Sequence, residues 1–312
     1  MNRVVVMVLM LLNVAKPFAV AFDKDLKVGN VYKINTVVPV FSRPKVDFKY
    51  ESGPRGSNCY ELNTMLLPSF YVLIEEELAN GTLGIAAKRD DSYLIRGYIH
   101  RKFLEDHAVD CGNMDFFSIS SDPTSVPSVE EIIDNVKNLL SLNVRYCYGG
   151  NSPVEVELNG IYKFHPVDSG NGKFGGYKCV GFDSSGLIHY VSNGWIPHST
   201  SVMPEFGKIL FMVNTERRFK SGFIAEILDT VRDTDLVLFP SSDGIETLNC
   251  YGHVIMVYKF GFVEYYGRFS GIVRTPPSEA ALRLIQMYMK AKSIGMPLFV
   301  VRWHPELLKN KK

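Results

Sequence analysis

Apolar residues recur along this chain with two periods, and the change between them falls before its midpoint. From about Lys27 to Leu104 the runs are short and separated by polar turns: Val28 to Val40 with Val31, Ile34 and Val37 among polar neighbours, then Phe70 to Glu77, Gly84 to Lys88 and Tyr93 to Ile99. Side chains of a strand point alternately to two faces, so runs of this kind predict strands. Asn80-Gly81 lies between two of them. Asn and Gly tolerate the left-handed backbone of a tight hairpin, so the pair predicts a turn. Several short strands at this spacing predict a small all-β barrel over residues 22–119. Ser120 to Pro127 is mostly polar and carries Pro123 and Pro127, which marks a linker over 120–127.

The period then becomes helical. Ser128 followed by Glu131 forms a capping box, and Ile132, Ile133, Val136, Leu139 and Leu140 follow on one face, predicting a helix to about Ser141. Asn151 to Tyr177 is a long polar stretch with Gly170, Gly172, Gly175 and Gly176, expected as a surface insertion. Asp183 precedes Ser184-Ser185-Gly186-Leu187-Ile188, with Tyr190 and Val191 beyond; a cap residue before an apolar stripe predicts a second helix. Strands are expected at Leu236–Phe239, from His253 to Tyr258, from Phe262 to Tyr266, at Gly271–Arg274 and from Pro297 to Trp303, with a helix from Ser278 to Lys292 before the last. Helices followed by an antiparallel sheet give an α+β second domain over 128–312.

Composition leaves this picture in place. Hydrophobic residues make up 46% and charged ones 21% of 312 residues, ordinary for a chain that buries a core. The formal net charge is +1, so no global field favours nucleic acid. The amino terminus has its own pattern: Arg3, an apolar run from Val4 to Leu12, a break at Lys16-Pro17, then Ala19-Val20-Ala21. This is the pattern of a signal peptide over 1–21, cut after Ala21. Export to the periplasm or outside the cell, with no membrane span left after the cut, is the expectation. The five cysteines, Cys59, Cys111, Cys147, Cys179 and Cys250, match no zinc spacing. In an exported chain they can pair, and Cys59 with Cys111 is the expected pair, since both fall in the first domain. No metal or cofactor is implied: the histidines are scattered, and the glycine-rich stretch does not join a strand to a helix. The pattern carries no signal for oligomeric state.

Three points have the residue types of nucleophilic catalysis. Ser184 opens a helix, where the macrodipole favours negative charge. His253 starts a strand, and Glu264 lies eleven residues later across a hairpin. A hydroxyl, an imidazole and a carboxylate are the nucleophile, base and orienting group of a triad.

Five elements from Ser128 onward resemble the NlpC/p60 family of cell-wall cysteine peptidases. They are Tyr146-Cys147-Tyr148-Gly149-Gly150, Asp183-Ser184-Ser185-Gly186-Leu187, Ile196-Pro197-His198-Ser199-Thr200, Asp235-Leu236-Val237-Leu238-Phe239 and His253-Val254. Gly97-Tyr98-Ile99 with Phe103-Leu104 is similar to the closing strand of a bacterial SH3-like domain, a common companion of that family. The resemblance implies a papain-like NlpC-type domain behind an SH3-like barrel, and a peptidoglycan stem peptide as ligand, cut at a bond such as γ-D-glutamyl–diaminopimelate. His253 falls at the general base and Tyr146 at a site-lining tyrosine. Glu264 or Tyr265 falls at the third residue, and Asp183 and Ser185 flank the nucleophile. The family carries cysteine where this chain has Ser184. A thiol is ionised by a helix N-terminus and a nearby histidine. A serine hydroxyl is not, and needs its base in tight geometry. Cys147 and Cys179 are weak substitutes, one at a variable position and one five residues too early. The resemblance therefore leaves three readings open: a peptide hydrolase working through Ser184, a pseudo-peptidase that binds peptidoglycan or a protein partner without cutting, or a cysteine peptidase deliberately inactivated by a serine introduced at position 184.

Overall fold

The computed structural model describes residues 25–53, 56–89, 93–120, 126–142, 144–158, 160–167, 177–213, 221–239, 252–266 and 271–303. The signal-peptide segment, the glycines of 170–176 and Cys250 lie outside them. The first part is nearly all strand. It comprises β1 (Val31–Ile34), β2 (Val38–Phe41), β3 (Asp47–Gly53), β4 (Gly56–Asn58), β5 (Leu62–Leu66), β6 (Tyr71–Glu77), β7 (Thr82–Lys88) and β8 (Ile95–His100), then helix α1 (Arg101–His107) and β9 (Ala108–Asp110). The second part runs α2 (Val129–Ser141), β10 (Tyr146–Cys147), β11 (Asn151–Val156), β12 (Lys163–Pro166), β13 (Cys179–Phe182) and α3 (Ser184–Val191). It continues with β14 (Lys208–Val213), α4 (Ser221–Thr230), β15 (Leu236–Phe239), β16 (His253–Tyr258), β17 (Gly261–Tyr266), β18 (Gly271–Thr275), α5 (Pro277–Ile294) and β19 (Leu298–Arg302). The architecture is α+β.

Local signals explain several boundaries. Between β6 and β7, Asn80 and Gly81 have φ of 61° and 71°, the left-handed backbone that this residue pair tolerates. Both halves of the capping box form at α2: the Ser128 side chain accepts from the Glu131 N–H, and the Glu131 carboxylate accepts from the Ser128 N–H.

The front strands form a seven-stranded sheet in the order β5-β2-β8-β7-β6-β1-β9. Its end strands do not pair with each other, so the expected SH3-like closed barrel is not found among the described residues. The β3–β4 hairpin leaves this sheet and joins a second one, β11-β13-β10-β4-β3-β12. There β4 runs parallel to β10, and β3 parallel to β12. Residues on both sides of the 120–127 linker thus share a sheet. They also share a core, in which Phe48 stacks on Phe41 at 4.2 Å and on Phe164 at 5.6 Å, and Phe164 on Tyr177 at 4.3 Å. The linker separates the two parts in sequence and not in packing. The described part of the insertion over Asn151 to Tyr177 contains strands β11 and β12, and its aromatics Tyr162, Phe164 and Tyr177 complete that core.

The third sheet, β14-β19-β15-β16-β17-β18, lies between two helical layers. On one face Leu236, Leu238, Val254, Met256, Val263 and Tyr265 pack with Leu187, Ile188 and Val191 of α3 and Ile132 and Val136 of α2. On the other face Val237, Phe239, Ile255, Val257 and Phe262 pack with Leu284, Met287 and Tyr288 of α5 and Ile227 of α4. Alternate residues of one strand serve the two layers, and that alternation decides the geometry of the candidate site.

Candidate functional site

Asp183 is the N-cap of α3. Its Oδ1 accepts from the Gly186 N–H at 2.7 Å and from Ser185 Oγ at 2.9 Å, and its Oδ2 accepts from the Gly149 N–H at 2.9 Å. A fourth contact comes from His198, whose Nε2 lies 2.9 Å from Oδ1. Burial works against the charge of this carboxylate. The His198 interaction and the Gly186 and Ser185 hydrogen bonds outweigh it and hold the pKa below its ordinary value. Gly186 is obligatory here, since a Cβ would stand 1.9 Å from the Gly150 carbonyl oxygen. The turn after Tyr146-Cys147-Tyr148 and the start of α3 are therefore in backbone contact. Ser184 is the first residue of the helix and is buried, 7% exposed.

Tyr146 pairs with Phe182 across β10 and β13, next to the cap. Its ring lies 5.8 Å from that of Tyr265, which lies 6.1 Å from Phe182. Tyr265 donates its hydroxyl to the Val144 carbonyl. Burial raises the pKa of both tyrosines, so each is a neutral hydroxyl. Ser184, Asp183, Ser185, Tyr146 and Tyr265 thus form one group on the α3 side of the third sheet.

His253 and Glu264 form another. The β16–β17 register pairs Met256 with Val263 and Tyr258 with Gly261. That register sets Glu264 diagonally across from His253 on the same face, within reach of a long side chain. His253 Nε2 lies 2.8 Å from Glu264 Oε2. Glu264 also accepts two hydrogen bonds from the α5 residue Arg283, at 2.8 Å from Nε and 2.6 Å from Nη2. Burial opposes the charge on Glu264, but the bonds from His253 and Arg283 outweigh it and lower its pKa. The His253 ring packs edge-on against Phe239 at 5.0 Å, and the Arg283 guanidinium lies 5.9 Å from that same ring. Phe239 belongs to the α5 layer.

The residues expected as one constellation thus stand in two. Glu264 is the carboxylate that meets His253, while Tyr265 faces the other way, as successive residues of a strand must. The same alternation sends the His253 side chain to the α5 face while Ser184 opens a helix on the opposite face. Among the described residues no hydrogen bond joins Ser184 to His253.

The four cysteines among the described residues are free thiols. Cys59 and Cys111 are both free, correcting the expected disulfide; Cys59 is buried and its sulfur contacts Glu61, whereas the Cys111 sulfur contacts the Val109 carbonyl. Burial pushes the Cys147 thiol up to about 12 and raises Cys179 as well, so neither offers a thiolate near neutral pH. Among the described residues no group of three His, Cys, Asp or Glu side chains could hold a metal ion, and no helix is long and apolar enough to cross a membrane. A cavity of about 390 Å³ lies along β11 and β12, lined by Glu155, Glu157, Tyr162, Phe164, Tyr177 and Lys178, and contains none of the candidate residues.

Sequence reasoning passed over Arg283, Thr64 and Asn151 and read His198 only as part of a turn. Arg283 had one usable signal: it borders the Ala280, Leu284, Met287 stripe of α5, where a cation requires a buried anion.

Comparison with known proteins adds little. No family model matches the chain, and no curated protein matches it. Among solved structures the chain is similar to NlpC1 from Trichomonas vaginalis, with 14% identity, a TM-score of 0.30, and coverage of 88% of this chain and 68% of that one. At that TM-score the likeness carries no argument for fold or function.

Proposed function

We propose that this chain is an exported, NlpC/p60-like peptidase scaffold that binds peptidoglycan stem peptides beside α3 and does not hydrolyse them. The observation behind the reading is the separation of the hydroxyl from the imidazole: Ser184 opens a helix on one face of the third sheet, and His253 is held on the other by Glu264 and, through it, Arg283. A serine hydroxyl without a base in hydrogen-bond reach is a poor nucleophile. The support for the ligand is the set of motif residues retained around the cap, namely Tyr146, Asp183, Ser185 and Tyr265. Tyr146, Asp183 and Ser185 are half-buried around the helix start and can meet a ligand, while Tyr265 is fully buried, with its hydroxyl on the Val144 carbonyl, and packs against Tyr146.

Titration calorimetry with a stem tripeptide containing the γ-D-glutamyl–diaminopimelate bond tests the reading. Binding by the intact chain, weakened about tenfold in Tyr146→Ala, is expected; that change equals about 1.4 kcal/mol. Absence of binding both to the tripeptide and to whole peptidoglycan would overturn it. The other reading, hydrolysis through Ser184, is favoured by the position of that residue at a helix N-terminus, and it requires His253 to reach across the sheet.

A further inference from the structure

The Asp183 cap is tied to the front sheet by a chain of buried polar groups. Asn151 on β11 donates its Nδ2 to the Met65 carbonyl at 2.7 Å and to Thr64 Oγ1 at 3.2 Å. Thr64 lies on β5, and its Oγ1 is 2.7 Å from His198 Nδ1. The other ring nitrogen of His198 meets Asp183 Oδ1. Thr64 and Asn151 are buried, and the His198 side chain is 3% exposed. With the imidazole proton on Nε2 every link is satisfied: Asn151 donates to Thr64, Thr64 donates to Nδ1, and Nε2–H donates to Asp183.

By distance alone, Thr64, His198 and Asp183 have the order of a hydroxyl, an imidazole and a carboxylate in a nucleophilic triad. Burial excludes that use, because no substrate reaches the Thr64 oxygen. The groups packed near the imidazole point the same way. His189 stacks on it with ring centroids 5.8 Å apart, and is itself fully buried with Nδ1 on the Ile196 carbonyl at 2.7 Å. What remains is a connection. The Asp183 carboxylate sits one residue before Ser184, where a bare anion would cancel the positive end of α3. The His198 donor offsets that anion, and Thr64 sets the orientation of the ring that carries the donor.

We infer that His198 is a positioning residue of the Ser184 site, oriented by Thr64 of the front sheet, so that the packing of that sheet sets the electrostatics at the start of α3. The sheet thereby acts on the site without contributing a group to it. This inference stands apart from the proposed ligand and from the question of hydrolysis.

The test uses a thiol as a reporter. In full-length Ser184→Cys, iodoacetamide alkylation at position 184 is followed by peptide mass spectrometry from pH 5 to 10, alone and combined with Thr64→Val, His198→Phe or His198→Gln. A thiolate beside a less compensated carboxylate is disfavoured. Thr64→Val and His198→Phe should therefore move the alkylation midpoint to higher pH and slow the reaction at neutral pH by roughly threefold to tenfold. His198→Gln, whose amide can still donate to Asp183, should restore most of the rate. A purely structural role would lower thermal stability and leave the profile unmoved. Superimposable pH–rate profiles in the four proteins would overturn the inference. For a shielded thiol, amide NMR of the serine-containing chain decides: Thr64→Val should shift the Ser184 and Gly186 amides, and changes confined to β5 would contradict it.

Discussion

Within α3, His189 is held neutral. Burial is the main cause and the neighbouring His198 the next, and together they take its pKa down to about 3. The unfolded chain binds a proton at this side chain below about pH 6.5, and the folded chain does not until about pH 3. Between those values the unfolded state carries more protons, so stability falls as pH falls, by about 1.4 kcal/mol per pH unit from this residue. Chemical denaturation between pH 6 and pH 4 should show close to that slope, and His189→Phe should flatten it. At the second cluster the expectation concerns an unpaired charge. Arg283→Met leaves Glu264 buried with its charge met by His253 alone, and should cost about 3 kcal/mol. Adding Glu264→Gln should recover a large part of that loss, as a double-mutant cycle would measure. The residue types of both clusters were legible in the sequence, and so was the reach of Glu264 to His253 across a hairpin, although the resemblance left Tyr265 as the competing third residue. The division between clusters was not read. It follows from strand alternation, which assigns a face to each residue only once the neighbours of that strand are known.

At the scale of elements, the sequence was clearest where a local signal suffices. The Ser128–Glu131 capping box, the Asn80-Gly81 turn and the Asp183 cap each form through backbone groups within a few residues. Strands β15 to β19 of the third sheet were legible for the same reason, as β-rich runs between turns, whereas its edge strand β14 was not read. Strands β3, β4, β11 and β12 were not, because their short, largely polar sequences become strands by pairing with distant partners, β3 with β12, β4 with β10 and β11 with β13. The β16–β17 turn shows a local signal that is absent. Lys259 and Phe260 have φ of 49° and 62°, and the Phe260 side chain is 87% exposed. A residue with a Cβ pays roughly 1 kcal/mol or more for left-handed backbone, and this ring gains little burial in return. Phe260→Gly should therefore raise stability by up to about 1 kcal/mol, seen as a higher midpoint in thermal unfolding.

For the whole molecule, the expected division of the chain into a front all-β part and a rear α+β part follows the change of hydrophobic period, and packing joins the two. Leu158, Tyr162 and Cys179 are buried in the same core as Phe41, Phe48 and Leu62. The α3 cap reaches Thr64 through His198. A fragment starting at Ser128 would expose that half of the core and leave β10 and β12 without β4 and β3. It should fail to unfold as one cooperative transition, whereas the chain from residue 22 should do so; calorimetry of the two distinguishes shared packing from independent domains.

The central claim is that the site keeps its ligand groups and has no assembled nucleophile and base. Mass spectrometry of muropeptides incubated with the mature chain, with Ser184→Cys and with His253→Ala tests it most directly. Intact muropeptides in all three reactions are expected, because a thiol at position 184 would still face away from His253. Cleavage by the chain or by Ser184→Cys, abolished when His253→Ala is introduced, would contradict the claim and establish that His253 serves Ser184 across the sheet.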